Sequence, residues 1–149
     1  VYIFRPLNFK NEKERLEYDR LVPNVKKVYP ISKEINQAII ETYEYLQTLP
    51  NEKARQKHLK RVEKGLKEHY TARMKKLSFT QGKLLIKLID RQSNSTSYEL
   101  VKAFMGPFKA GFYQTFAALF GASLKKEYDP QGEDKLTERV VLMVENGQI

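Results

Sequence analysis

Apolar residues recur along most of this chain at the spacing of a helix and almost nowhere at the spacing of a strand. Ile31, Ile35, Ile39, Tyr43 and Leu46 step by 4, 4, 4 and 3 residues, a single stripe along one helix face. Leu59, Val62, Leu66, Tyr70, Met74 and Leu77 form a second stripe, interrupted mildly by Gly65. Leu84, Leu85, Ile86, Leu88 and Ile89 cover most of a helix circumference, so 80–91 reads as the central, most buried helix. No two alternating segments flank a hairpin turn. The fold class that follows is all-α.

Helix ends are read from Pro, Gly and the small polar caps. Pro23 is expected to end or kink the first helix, and Pro30 to open the next. Pro50-Asn51 stops that one and caps a helix over 51–77, expected to be the longest. Ser78 and Thr80 offer caps for the central helix. After the polar loop RQSNSTS, Thr96 and Ser97 supply a cap for a helix from Tyr98 to Gly106. Pro107 then starts a Phe-rich helix over 107–120 that stops at Gly121. Asp129-Pro130-Gln131-Gly132 has the residues of a type I turn, and a last helix runs from Glu133 to about Glu145. Residues 1–10, with Pro6, read as a short extended arm. The sum is one compact domain over 1–149, of about six to seven helices. A chain of 149 residues, 41% hydrophobic and 30% charged, is large enough and apolar enough to bury such a core.

Composition removes several chemistries. The absence of Cys excludes disulfides, thiolate nucleophiles and Cys-ligated metal sites. Phe112–Phe120 is the most apolar stretch, far short of the ~20 residues of a spanning helix, so no transmembrane span is expected. The chain opens at Val1 without an initiator Met or an apolar leader, so targeting information is expected upstream. The net charge of +9 is concentrated: residues 51–77 carry 10 basic and 3 acidic side chains, while the segments on either side are nearly balanced.

His58 and His69 lie three turns apart on one helix, ~16 Å at the helical rise, and cannot share a metal. Ser123-Leu124-Lys125-Lys126 matches the S-x-x-K acyl-enzyme pattern. Six Ser and 19 Lys give about one such match by chance, and the partner motifs are absent. Asp129, Glu133 and Asp134 lack the ligand order of a calcium loop. A turn, with two acids at the positive end of a helix, accounts for them. Lys83, Lys87 and Arg91 recur every four residues. They read as the solvated stripe of a core helix, with Asp90 a local salt partner, rather than as a catalytic lysine site. Phe104, Phe108, Phe112, Phe116 and Phe120 read as core, or as a partner surface wherever they are exposed. No cofactor or metal is expected.

The strongest functional signal is the basic helix. Lys53, Lys57, Lys60, Arg61, Lys64 and Lys67 place a positive face opposite the apolar stripe. Such a face fits phosphates, an anionic surface, or simply a solvated helix. A helix-turn-helix layout over Thr80–Phe104 would turn only Ser97, Tyr98, Glu99 and Lys102 outward, a poor base-reading set.

The segments LVPNVKKVYP, SFTQGKLLIKLIDRQSNSTSYELVKAF and EYDPQGEDKLTERVVLMVENGQ resemble a Bacteroidetes family catalogued only as a domain of unknown function. The resemblance runs from Tyr2 to Gln148. It departs from the family pattern at Met105, where Arg is common, and at Tyr113, where Trp is. It implies an exported protein of the periplasm or cell envelope, with a signal peptide ahead of the domain, and no catalytic residues. Its polar motif positions are Asn24, Gln81, Asp90, Arg91, Tyr98, Tyr128, Asp129 and Asp134. The expected function is a non-catalytic module binding a protein or an anionic envelope surface. A nucleic-acid-binding protein, or an enzyme with its site around Asp90, Arg91, Tyr98 and Asp134, are the alternatives.

Overall fold

The computed structural model describes residues 3–94, 99–121 and 127–149, with the backbone alone for 99–102. Five helices are present among them: α1 (Glu12–Gln47), α2 (Glu52–Met74), α3 (Phe79–Asn94), α4 (Glu99–Phe120) and α5 (Lys135–Glu145). The described residues contain no strand. The class is all-α, but the six to seven helices expected from the sequence are five, and the longest is α1 rather than the basic helix.

The difference lies in the prolines. Pro23 and Pro30 are inside α1, and Pro107 is inside α4, where the sequence predicted breaks. Each proline removes one N–H from the helical ladder, orphaning the carbonyl four residues earlier. Those residues are Asp19, Lys26 and Ala103, and they, like the three prolines, are exposed. The freed carbonyls belong to residues open to solvent, and the opposite faces, buried in the core, hold the helices together. Pro23 and Pro30 are also seven residues apart, about two turns, and so share one outer face.

The remaining boundaries follow side-chain capping. Asn11 Oδ1 accepts from the Glu14 N–H at 3.0 Å, and Asn51 Oδ1 accepts from the Ala54 N–H at 2.9 Å. Ser78 and Gln81 form a reciprocal capping box at 3.1 Å in each direction. Gly121, at φ +67°, ends α4 in the left-handed region. At the far end of α1 the Arg55 guanidinium donates to the Leu46 and Leu49 carbonyls, closing the turn into α2. The expected caps Thr96 and Ser97 lie outside the described residues.

α1 packs against all four other helices, and α3 lies between α1 and α4. Val25, Val28, Ile35, Ile39, Leu85, Leu88, Phe116 and Val140 are almost wholly enclosed in one apolar cluster. Phe108, Phe112 and Phe116 of the α4 ladder are core, while Phe104 and Phe120 at its ends are half-buried. Residues 3–10 form no helix or strand. Their backbone is held where Arg139 donates to the Arg5 carbonyl at 2.7 Å, with its guanidinium 4.8 Å from the Phe4 ring.

Candidate functional site

Two polar regions stand out. The first is on α3, at the positions expected to be its solvated stripe. Lys83 is half-buried, but Lys87 is 5% exposed and Asp90 is fully enclosed. Lys87 Nζ donates to both oxygens of Asp134 at 2.9 Å, with Glu133 further off at 3.8 Å. Asp90 accepts from Lys109 of α4, from the Tyr128 N–H at 2.7 Å and from Asn94. Its charged partner is therefore Lys109, 19 residues away, and not the neighbouring lysines. The Arg91 guanidinium grips Glu138 with two bonds, at 2.7 and 3.0 Å, and reaches Glu145 at 2.9 Å. The Tyr128 hydroxyl donates to Glu138 at 3.0 Å.

Asp134, expected at the positive end of the last helix, is the N-cap residue of α5. It makes no side-chain cap bond and turns inward to Lys87 and to the Asp129 N–H. Asp129 does build the expected turn, accepting from the Gln131 and Gly132 N–H groups. Backbone contact between α3 and α5 is slight beside that of α5 with α1. Long charged side chains make the link.

The electrostatics are those of a closed network. Burial works against the Arg91 charge, but the hydrogen bonds and charge of Glu138 outweigh it and raise its pKa above the ordinary arginine value. Burial alone would raise Glu138; the bonds and charge of Arg91, with the Tyr128 hydroxyl, hold it below the usual carboxylate range instead. Burial, then the Glu138 charge, pushes the Tyr128 phenol well up. Each carboxylate in the layer has a donor and each cation an acceptor. What this arrangement does chemically is fasten residues 127–134 and α5 to α3.

Of the polar motif positions, Asp90, Arg91, Tyr128, Asp129 and Asp134 are brought together here. Asn24 and Gln81 meet each other instead, by a 3.1 Å hydrogen bond between α1 and α3. Tyr98 lies outside the described residues, as does the Ser123–Lys126 pattern. A groove of about 480 Å³ borders the layer, reaching Arg20, Asn24, Lys83, Lys87 and Asp134. The sequence pointed to Arg91 and Asp134 but not to Lys109, Glu138 or Glu145. The one available signal was Glu138 and Glu145 standing seven residues apart on a single face of α5.

The second region is α2. Lys53, Lys57, Lys60, Arg61, Lys64 and Lys67 are all exposed, while Leu59, Val62 and Leu66 pack inward and Tyr70 and Met74 are buried. The two helix cations off this face that have partners are Arg55, with Glu52 and the Leu46 and Leu49 carbonyls, and Arg73, with Glu34. None of the six face residues is in an ion pair among the described residues. His58 and His69 sit against the rings of Tyr45 and Tyr70, at 4.5 and 4.7 Å. Among the described residues no group of three or more His, Asp or Glu side chains is placed to hold a metal ion. No helix among them is long and apolar enough to cross a membrane.

A family model matches residues 1–143, under the description Domain of unknown function (DUF4294). No curated protein and no solved structure matches the chain.

Proposed function

The chain belongs to the DUF4294 family, and we propose that it is a non-catalytic helical module that docks on an anionic membrane surface through the exposed basic face of α2. The observation that carries this reading is a set of six exposed cations on one face, in no ion pair among the described residues, beside two helix cations, Arg55 and Arg73, that are held by partners. A cation near an anionic bilayer contributes about 1 kcal/mol, so six provide a reversible, salt-sensitive attachment. Because the apolar face of α2 is spent on the core, α2 cannot lie down in the bilayer as an isolated amphipathic helix does. The attachment is electrostatic. The cell envelope is proposed as its setting, in keeping with the resemblance of the sequence to exported proteins.

The test is co-sedimentation with vesicles of neutral lipid and of neutral lipid containing roughly one-third phosphatidylglycerol. The wild-type chain is expected to bind the anionic vesicles only, and to lose them as salt shortens the screening length. The triple variant Lys57→Gln/Lys60→Gln/Lys64→Gln should lose most of that binding while keeping its melting temperature. Equal binding by the triple variant would sink the reading. A submicromolar, sequence-selective complex with a duplex at physiological salt would replace it with nucleic-acid recognition.

A further inference from the structure

Between α2 and α4, away from the ion layer, runs a groove of about 260 Å³ whose floor is the edge of the core. Leu66, Phe108, Gly111 and Phe112 line it, with Lys67 and Glu63 on the α2 side. Lys67 and Thr71 also line an adjoining shallow surface that carries Lys64, Lys75 and Lys76 against the single acid Glu68. The basic face and the groove therefore meet at Lys67.

Gly111 keeps the groove open. A glycine inside a helix is less stable than alanine, yet a Cβ built at Gly111 meets nothing within 4 Å. A side chain at this groove-lining position would therefore extend into open space without displacing a neighbour. Its volume is just under the ~300–1,000 Å³ of pockets that enclose a whole drug-sized ligand, the right scale for one end of a chain. Attachment by a basic face is reversible and salt-sensitive, and an apolar contact beside it would be a second signal that makes it firmer.

We propose that this groove receives the acyl-chain end of one anionic lipid from the surface on which α2 docks, with the headgroup held by Lys67 and its neighbouring lysines. Charge complementarity selects the anionic head, and Leu66, Phe108 and Phe112 supply the apolar wall. Lys64, Lys67, Lys75 and Lys76 outnumber Glu63 and Glu68 along the α2 side, so the head lies beside the lysines. The inference rests on the membrane-docking reading of α2 and adds to it a ligand and a stoichiometry.

Two probes separate the inference from that reading. The first is dodecyl phosphate below its micellar concentration, followed by calorimetry. The second is the anionic vesicles already described. The wild-type chain is expected to bind one equivalent of dodecyl phosphate. Gly111→Leu, which fills the groove, should weaken this by roughly tenfold or more, and Lys67→Gln by a few-fold. Gly111→Ala, which leaves most of the space, should bind as the wild type does. On vesicles at low salt, Gly111→Leu should bind more weakly than the wild type but still be held by the basic face. Unchanged dodecyl phosphate affinity in a folded Gly111→Leu variant would overturn the groove and leave the basic face standing. Binding of dodecyl phosphate without any binding to anionic vesicles would overturn both the membrane source and the docking reading. If Gly111→Leu fails to fold, Gly111→Val and Thr115→Leu narrow the same groove, and unchanged affinity in both would count against it equally.

Discussion

Asp90 is a carboxylate with no access to solvent, held by Lys109, Asn94 and the backbone N–H of Tyr128. Removing one partner of a buried charge pair costs about 3–5 kcal/mol, because the other is left uncompensated. Asp90→Ala should therefore lower the unfolding free energy by about that amount in urea denaturation. Asp90→Asn, which keeps an acceptor for the Tyr128 N–H, should cost less; equal loss in both would mean that the charge alone matters. Glu138 makes a second prediction. Its folded pKa lies below the ordinary carboxylate value, so its contribution to stability is present above that value and is lost as pH falls through the folded one. Wild-type stability should fall on acidification from about pH 5, and Glu138→Gln should be less stable at neutral pH with a flatter acid limb. Parallel acid limbs would remove Glu138 from the account. The capping residues Asn51 and Ser78 were legible in the sequence, because a cap acts on its own next few residues. The partners of Asp90 were not. Lys109 and Tyr128 arrive from 19 and 38 residues away, and no local spacing records that meeting.

The helices themselves were readable by period, down to the central placement of α3. Their ends were misread at Pro23, Pro30 and Pro107, which stand on exposed faces inside helices. Propensity penalises such a proline as if the helix stood alone, whereas α1 and α4 are held by the core that their inner faces enter. Close approach between helices was not readable either. A Cβ added at Gly82 of α3 would stand 2.7 Å from Phe120 Cε2 and 3.5 Å from Phe116 Cε2. Alanine is the better helix former by about 1 kcal/mol, but the half-buried Phe120 ring would have to move. Overpacking of this kind costs about 1–3 kcal/mol, so Gly82→Ala should destabilise the domain on balance. Combining it with Phe120→Leu should recover part of the loss. A Gly82→Ala chain melting above the wild type would show that the ring yields freely. In the same ladder, Phe116→Ala should cost about 3–5 kcal/mol, since Phe116 is almost fully enclosed. A domain that tolerated this change and lost only self-association would contradict its place in the core.

At the scale of the molecule, the charge concentration on α2 was visible in the sequence because unpaired lysines on an apolar-backed helix have nowhere to go but outward. The groove beside it was not, since it depends on how far α2 stands from α4 and on the missing side chain of Gly111. Folding should be independent of metal: chelator treatment is expected to leave the melting temperature unchanged, and a fall reversed by one divalent ion would reveal ligands assembled from distant carboxylates. The ion layer also bears on how the chain is made. Among the five helices α5 leaves the ribosome last, and until it does Lys87 and Arg91 have no Asp134, Glu138 or Glu145 to meet. An apolar seam at that place would make the finished domain at least as stable. During synthesis, however, it would present a bare hydrophobic strip to chaperones and to neighbouring nascent chains. Two hydrated cations on the waiting face of α3 keep the half-made domain soluble until its last helix arrives to neutralise them.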